Sequence, residues 1–286
     1  MTRRGRWAVL ALGWVLFGWA GLAAGDLVLH VFPSGPIYDY RWKLLELALE
    51  HVPDGRQIRL LPYPEAINQD RSMLLLQSGT LDVVALGTNP RRQAALLPVR
   101  FDILRGILGY RVFMIRRSDQ FRLARMSNED MRRHLVFGLG RGWADLPIMI
   151  ANGYTVEAAS NPENLYAMLN AGRFDAFPRG INEVYRDLPE YQKLYPQLAL
   201  ESSKALYFPY PVYFWVNRGN PELARRIQRG LTLALKDGSF RKLFTTCYAA
   251  EIDILRKNRR QVLRLGNPNL PTGMAEPDTR WWWPSP

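Results

Sequence analysis

One pattern of residues occurs twice in this chain and constrains its fold more than any other feature. In residues 165–183, Leu165, Met168 and Leu169 recur at helical spacing, and the chain then passes through Gly172 and Asp175 into a short apolar run typical of a buried strand that ends at residue 180. Within this stretch, residues 169–180 have a counterpart earlier in the chain. Residues 76–87 keep the Leu, Gly, Asp and final Gly at the same spacing. Such connections are common in α/β proteins, so one interpretation is a chance match. The other is two similar α/β lobes whose strand ends face each other across a ligand-binding cleft.

Strand and helix patterns alternate along most of the chain, which indicates an α/β layer fold. We predict two Rossmann-like lobes joined by a hinge that the chain crosses twice, near residues 114–118 and 211–217. The predicted lobe ranges are 26–115 plus 217–265 for lobe one and 118–205 for lobe two. The apolar segments 101–107 and 110–115 are both predicted to be strands.

The two ends of the chain differ from this alternation. Residues 1–25 have a basic start, an apolar middle and small residues at the end, as in a cleavable signal peptide. Export to the periplasm follows from this interpretation, and an uncleaved membrane anchor is the alternative. Residues 266–286 are rich in Pro and Trp and are predicted to form an irregular arm.

Composition narrows the class of partner. The formal net charge is +12, from 38 Lys and Arg against 26 Asp and Glu. No nucleic-acid-binding motif is present, so the preferred interpretation is a basic field that attracts anionic ligands, or a charged surface that contacts a partner. Cys247 is the only cysteine, which excludes an intramolecular disulfide.

Three segments together carry a resemblance to a known family. They are residues 75–87, with the helix-Gly-x-x-Asp-strand pattern; residues 88–91, with Thr-x-x-Arg; and residues 172–177, in the second half. In this order the chain resembles the type II periplasmic solute-binding proteins, specifically the polar-amino-acid (family 3) group. The resemblance implies a monomer without a cofactor that closes on a small solute and delivers it to an ABC-type permease.

The resemblance also implies roles for particular residues. Arg91 would clamp a ligand carboxylate with its guanidinium fork, and Thr88 would add a hydroxyl or backbone contact. Alternatively, Arg91 and Arg92 are a solvated surface pair. The family's usual acidic partner for an ammonium group is replaced here by Gly180. One alternative is that Glu183, one turn later, substitutes as the ammonium partner. The other is that Arg179, which precedes Gly180, faces the cleft and favours a second acidic group. We therefore expect a small anionic solute and poor binding of ordinary amino acids.

Further candidates flank the expected cleft. The glycine loop 138–142 precedes a predicted helix, and Arg141 and Trp143 are placed to line an anion site there. A tight strand-to-helix turn explains the same glycines. Tyr38 or Tyr40 is a candidate aromatic wall for the ligand, with packing in the core as the alternative.

Two other functions stay open at this point. An extracytoplasmic sensory protein would use the same cleft closure as a transport protein. A cleft enzyme similar to cyclohexadienyl dehydratase would need an acid–base carboxyl group, and Glu183 is the candidate. The sequence has no nucleophile elbow and no phosphate-loop lysine, and its three histidines lack metal-ligand spacing.

Overall fold

The computed structural model describes residues 25–35, 38–65, 67–143, 145–257 and 259–270. The predicted signal segment and most of the predicted C-terminal arm therefore lie outside the described residues. Within the described residues, no helix combines the length and apolar character needed to cross a membrane.

The first lobe is built on a five-stranded sheet of order β2-β1-β3-β11-β4. Strands β1, β2 and β3 are parallel, and β11 runs antiparallel between β3 and β4. Its strands are β1 (Leu27–Phe32), β2 (Ile58–Pro62), β3 (Val83–Gly87), β4 (Leu97–Val99) and β11 (Val212–Val216). Every residue of β3 is buried, because β3 lies at the centre of the sheet.

Five helices accompany this sheet: α1 (Asp39–Glu50), α2 (Gln69–Gln77), α3 (Pro90–Ala95), α9 (Pro221–Asp237) and α10 (Ser239–Cys247). Helix α1 buries Leu44, Leu45 and Ala48 on one face, at helical spacing. Helix α9 packs against α1 so closely that a Cβ at Gly230 would fall on the carbonyl oxygen of Ala48. The glycine therefore permits backbone-to-backbone approach between the two helices.

The second lobe is built on a seven-stranded sheet of order β12-β10-β5-β8-β6-β7, with β9 also paired to β5. Its strands are β5 (Tyr110–Arg116), β6 (Val136–Gly140), β7 (Thr155–Ala159), β8 (Ala176–Gly180), β9 (Leu198–Leu200), β10 (Lys204–Tyr207) and β12 (Gln261–Arg264). The parallel strands β7, β6 and β8 continue into β5, which is antiparallel to β8.

The helices of this half are α4 (Gln120–Arg125), α5 (Asn128–His134), α6 (Leu146–Ala151), α7 (Asn164–Asn170), α8 (Ile181–Leu194) and α11 (Ala249–Lys257). Ser127 caps α5 in a reciprocal capping box with Asp130. Helix α8 follows β8 without a loop, so the polar side chains at its first turns lie at the end of that strand.

The repeated pattern has the same structure in both lobes. Gly79 and Gly172 have left-handed φ angles of +80° and +74°, which let the helix end and the chain reverse. The aspartate that follows each glycine then accepts a hydrogen bond from the backbone of the neighbouring strand. Asp82 Oδ2 accepts from the backbone N–H of His30 at 2.7 Å, and Asp175 Oδ2 accepts from that of Val136 at 2.9 Å. The equal spacing therefore reflects one structural unit that is used twice.

Sheet membership corrects the predicted lobe boundaries. β5 belongs to the second sheet, so the first crossing is residues 100–109 and not 114–118. The predicted strand 101–107 is a turn, because Arg105 and Gly106 both have positive φ, at 51° and 84°. The second crossing is residues 208–211, between β10 and β11. The chain also returns to the second sheet with β12, which the range 217–265 had assigned to lobe one.

Candidate functional site

The ends of the central strands of the two lobes meet at one place. A Cβ at Gly87, which ends β3, would lie 2.5 Å from Cζ of Tyr210. A Cβ at Gly180, which ends β8, would lie 3.2 Å from Nη1 of Arg111. Arg111 and Tyr210 are themselves neighbours, with the guanidinium carbon 5.5 Å from the ring centroid. The two strand ends therefore face each other across these two side chains.

Four buried guanidinium groups surround this point. Each side chain belongs to a residue that is at most 9% exposed: Arg41, Arg92, Arg111 and Arg179. Arg41 on α1 donates to the carbonyl oxygen of Ala85, and Arg92 on α3 donates to that of Gly87, each at 2.6 Å. Lobe one thus holds the Arg41 and Arg92 guanidinium groups against the end of β3. In lobe two, β5 supplies Arg111 and β8 supplies Arg179.

Three carboxylates on lobe two pair with the cations of the same lobe. Asp145, just before α6, lies 3.0 Å from Arg111. Glu183 lies 3.6 Å from Arg111 and 3.4 Å from Arg179, and Asp187 lies 2.5 Å from Arg179. Glu183 and Asp187 are four residues apart on α8, so both face the strand end. We call these seven charged side chains the cleft cluster: Arg41, Arg92, Arg111, Asp145, Arg179, Glu183 and Asp187.

The electrostatics of the cleft cluster couple the two lobes. Burial by itself would raise the pKa of Glu183, but the guanidinium groups of Arg179, Arg111 and Arg41 hold it below its usual value. Burial raises the pKa of Asp145, although Arg111 opposes the shift. Since Arg41 belongs to lobe one and Glu183 to lobe two, part of this attraction acts across the cleft.

Several polar atoms at this place have unused hydrogen-bonding capacity. Among the residues that the structure describes, buried atoms without a hydrogen-bond partner include Nε of Arg92, Nε of Arg111, Oδ1 of Asp145 and Oδ1 of Asn182. The Asn182 oxygen lies 2.7 Å from the position that a Cβ at Gly180 would take. Buried polar atoms are seldom left unpaired, because each costs about 1–3 kcal/mol. Their concentration between two lobes is typical of a site for a polar ligand.

Four of the predicted site residues belong to this region. Arg179 and Glu183 are members of the cleft cluster. The ring of Tyr38 lies 4.6 Å from the Arg41 guanidinium carbon, and burial, reinforced by Glu183, raises the pKa of Tyr38 above its usual value despite Arg41. Trp143 stacks on Phe177 at 6.0 Å, with the guanidinium of Arg179 5.2 Å from its ring. Tyr40, the alternative to Tyr38, packs in the core against Tyr248.

The other predicted residues lie around the cleft cluster. Thr88 is buried, and its N–H donates to the carbonyl oxygen of Pro211 in the second crossing. Arg91 has a side chain 66% exposed and pairs with Asp70 at 2.8 Å. Asp70 Oδ2 is 3.7 Å from the Cβ position of Gly142 in lobe two, so this pair lies at the edge of the cleft.

Arg141 lies outside the cleft cluster. Its backbone N–H donates to the carbonyl oxygen of Ala159, and its exposed side chain donates to the carbonyl oxygen of Ala158. The glycines of the loop before it serve packing, since a Cβ at Gly140 would lie 2.6 Å from the Trp143 ring.

Sequence reasoning missed six members of this region: Arg41, Arg111, Asp145, Asn182, Asp187 and Tyr210. It treated Arg92 only as half of a surface pair. One signal was available for Arg92. Asn89 caps α3 and Pro90 occupies its first turn, which places Arg92 at the third helical position, facing back toward the strand end. The described part of the chain contains no group of three side chains able to hold a metal ion.

Comparison with known proteins bears on the fold. No protein-family model and no curated protein matches the sequence. Many solved structures match, at low sequence identity. One is an ancestral arginine-binding protein bound to arginine, with a TM-score of 0.54 and 18% identity over 79% of this chain and 99% of that one.

Two further structures extend the comparison. An ancestral amino acid-binding protein, AncCDT-1, described as a precursor of cyclohexadienyl dehydratase, has a TM-score of 0.55 and 14% identity over 78% of this chain and 95% of its own. A histidine kinase sensor domain with similarity to periplasmic binding proteins has a TM-score of 0.54 and 18% identity over 77% of this chain and 95% of its own. The chain therefore has the two-lobed α/β fold of the type II periplasmic solute-binding proteins, as its sequence predicted.

Proposed function

We propose that this protein is a periplasmic solute-binding protein that captures a small, carboxylate-bearing anionic solute between its lobes for ABC-type uptake. The observation that carries the proposal is the cleft cluster, in which four buried guanidinium groups face three carboxylates. Unpaired buried charge is costly, so one further negative charge from a ligand would balance the site. Closure on the solute would then be favoured because the solute contacts both lobes.

We place the primary carboxylate contact at Arg92 and Arg111. Both guanidinium groups are buried, they come from different lobes, and each has a free Nε donor. Arg91, which the family resemblance indicates as the clamp, is exposed and already paired with Asp70. We assign Arg91 to the entrance, where its charge attracts an anion and contributes less to bound affinity.

The experiment is a thermal-shift screen of the exported chain against carboxylates, amino acids and aromatic acids, followed by calorimetry of the strongest ligand. A solute that binds only the folded state raises apparent stability, by about 2.7 kcal/mol at a hundredfold excess over its Kd. We expect carboxylates to stabilise the protein and simple amino acids such as glutamine and lysine to have little effect. Strong stabilisation by one of those amino acids would overturn the proposed ligand class.

Two matched variants locate the anchor. Arg92→Lys keeps the charge but loses the planar fork, and we expect it to weaken binding at least tenfold. Arg91→Ala removes a neighbouring, exposed arginine and should weaken binding only a few-fold, mainly through slower association. Urea denaturation of each variant separates lost binding from lost folding. A larger loss of affinity in Arg91→Ala than in Arg92→Lys would instead indicate Arg91 as the carboxylate clamp.

A sensory role is the second candidate, supported by the likeness to a histidine kinase sensor domain. Removing the protein from its source cell separates the two roles. Loss of labelled solute uptake indicates transport, whereas a lost transcriptional response with unchanged uptake indicates sensing.

The dehydratase-like alternative has less support. A general acid in the cleft needs a raised pKa, and the guanidinium groups hold the pKa of Glu183 below its usual value despite burial. The AncCDT-1 structure is itself described as an amino acid-binding protein.

A further inference from the structure

Tyr210 occupies an unusual place for a large side chain. It lies in residues 208–211, which carry the chain from β10 in the second sheet to β11 in the first. The residue is only 5% exposed. Its ring rests on the α-carbon of Gly87, where a Cβ would come within 2.5 Å of both Cζ and the hydroxyl oxygen. A crossing segment thus inserts a phenol between the two strand ends.

The surroundings of the phenol are the cations that we assign to the solute. The Arg111 guanidinium carbon lies 5.5 Å from the ring centroid, and the hydroxyl is within hydrogen-bonding reach of Arg92. Burial, reinforced by Asp145, raises the pKa of Tyr210 to about 12 although Arg92 and Arg111 oppose the shift. The phenol therefore stays neutral at physiological pH and does not replace the negative charge of a solute.

The ring has neighbours on two sides. It lies against the backbone of Gly87, and the ring of Phe208 lies 5.9 Å away, centroid to centroid. A solute that reaches both Arg92 and Arg111 must therefore fit beside an aromatic wall.

We infer that Tyr210 determines the length of the solute, restricting the cleft to short carboxylates with few carbon atoms beyond the anchored group. This inference rests on the proposed function and deepens it. The wall acts by exclusion: a longer chain must displace the ring or remain outside the closed cleft. In a site of this kind each misfitting methylene costs roughly tenfold or more in affinity.

The test compares wild type, Tyr210→Ala and Tyr210→Phe by calorimetry against two homologous series. The probes are straight-chain dicarboxylates from oxalate to adipate and monocarboxylates from acetate to hexanoate. For wild type we expect the tightest binding among the shortest acids, with affinity falling roughly tenfold for each added methylene. Tyr210→Ala should shift the preferred acid to a longer one in the same series.

The control keeps the ring and removes only its hydroxyl. Tyr210→Phe should retain the wild-type length preference, even where the absolute affinity changes through the lost contact to Arg92. A loss of stability alone would weaken all acids equally and would not change the order of lengths. If Tyr210→Ala does not fold, Tyr210→Leu provides a smaller enlargement and should produce a smaller shift in the same direction.

The outcomes separate this inference from the function on which it rests. An unchanged length preference in Tyr210→Ala, or in Tyr210→Leu where the alanine variant does not fold, refutes the role of Tyr210 alone if binding is retained. A wild-type preference for the longest acids refutes it too. Binding of no acid by any variant refutes the proposed anionic solute and the role of Tyr210 together.

Discussion

Replacing Gly87 by alanine tests whether the two lobes meet as described. The backbone of Gly87 has no positive φ, so alanine fits the strand conformation without strain. The added methyl group, however, would lie 2.5 Å from the Tyr210 ring, whereas ordinary contact begins near 3.4 Å. The ring must therefore retreat by about 1 Å, or the ends of the lobes must separate.

The expected loss of stability is modest but measurable. Overpacking by one methyl group in a close-packed interior costs about 1–3 kcal/mol. Replacing glycine in a strand by alanine by itself raises the free energy of unfolding by about 0.5–1 kcal/mol. We therefore expect Gly87→Ala to lower the free energy of unfolding by about 1 kcal/mol, and to weaken solute binding because the Tyr210 ring is pushed toward Arg111.

Urea denaturation with a double-mutant cycle measures this effect. Tyr210→Ala removes the ring that the new methyl group meets, so Gly87→Ala should cost little in that background and the coupling should reach about 1 kcal/mol. Gly180→Ala is the matched control at the other strand end. Its methyl group would meet the ends of the Asn182, Arg111 and Glu183 side chains and not the Tyr210 ring. Additive effects at Gly87 and Tyr210 would refute the contact between them.

Three further predictions concern other parts of the molecule. Gly230→Ala should lower the free energy of unfolding by at least about 2 kcal/mol, because the added methyl group on α9 meets the backbone of Ala48 on α1. This holds although alanine favours a helix over glycine by about 1 kcal/mol. A variant that is more stable than wild type in thermal unfolding would contradict the prediction. His51 forms hydrogen bonds with the Leu47 carbonyl oxygen and with Asp237, and both raise its pKa. The contribution of protonated His51 to the free energy of unfolding is therefore full below pH 6 and is lost as pH rises through the raised pKa. His51→Gln should thus lose more stability at pH 5.5 than at pH 8.5 by urea denaturation, and equal losses would exclude the linkage. Burial raises the pKa of Asp102 to about 6, so the wild type loses stability as pH rises from about 4 to 6. Asp102→Asn should remove that loss. Its free energy of unfolding relative to wild type should rise by on the order of 3 kcal/mol between pH 4 and pH 7.5, and a difference that does not grow with pH would argue against the shifted pKa.

The predictions from sequence succeeded where the cause is local. Gly79 and Gly172 end helices with a left-handed residue, and Asp82 and Asp175 each accept from the backbone of an adjacent strand. The glycine turn is determined by a few consecutive residues, and the repeat of the whole unit was visible as a repeat in the sequence. The fold class followed from the order of these units.

The lobe boundaries were harder to predict for a physical reason. Residues 101–107 have the apolar character of a strand, but two consecutive positive φ angles at Arg105 and Gly106 make them a turn. Whether β5 and β12 join the first or second sheet depends on which strands they pair with, and pairing is not encoded in either segment alone.

The candidate site shows the same division. Arg179 and Glu183 were predicted because the family resemblance directed attention to Gly180, and both residues lie beside it at the end of β8. Arg91 was chosen over Arg92 because it occupies the arginine position of the Thr-x-x-Arg pattern. Such a match does not say which of two adjacent side chains points inward. Only the cap at Asn89 and the packing of α3 on the first sheet bury Arg92 and leave Arg91 exposed.

The sequence by itself determined the alternation of helices and strands, the repeated unit and the two-lobed class, because these follow from periodicity and turn chemistry over a few neighbouring residues. The tertiary structure alone decided that Arg41, Arg111, Asp145 and Tyr210 meet at the facing strand ends. Charges and aromatic rings interact through space over a few ångströms. Residues far apart along the chain therefore form one site only after both lobes and their crossings have folded.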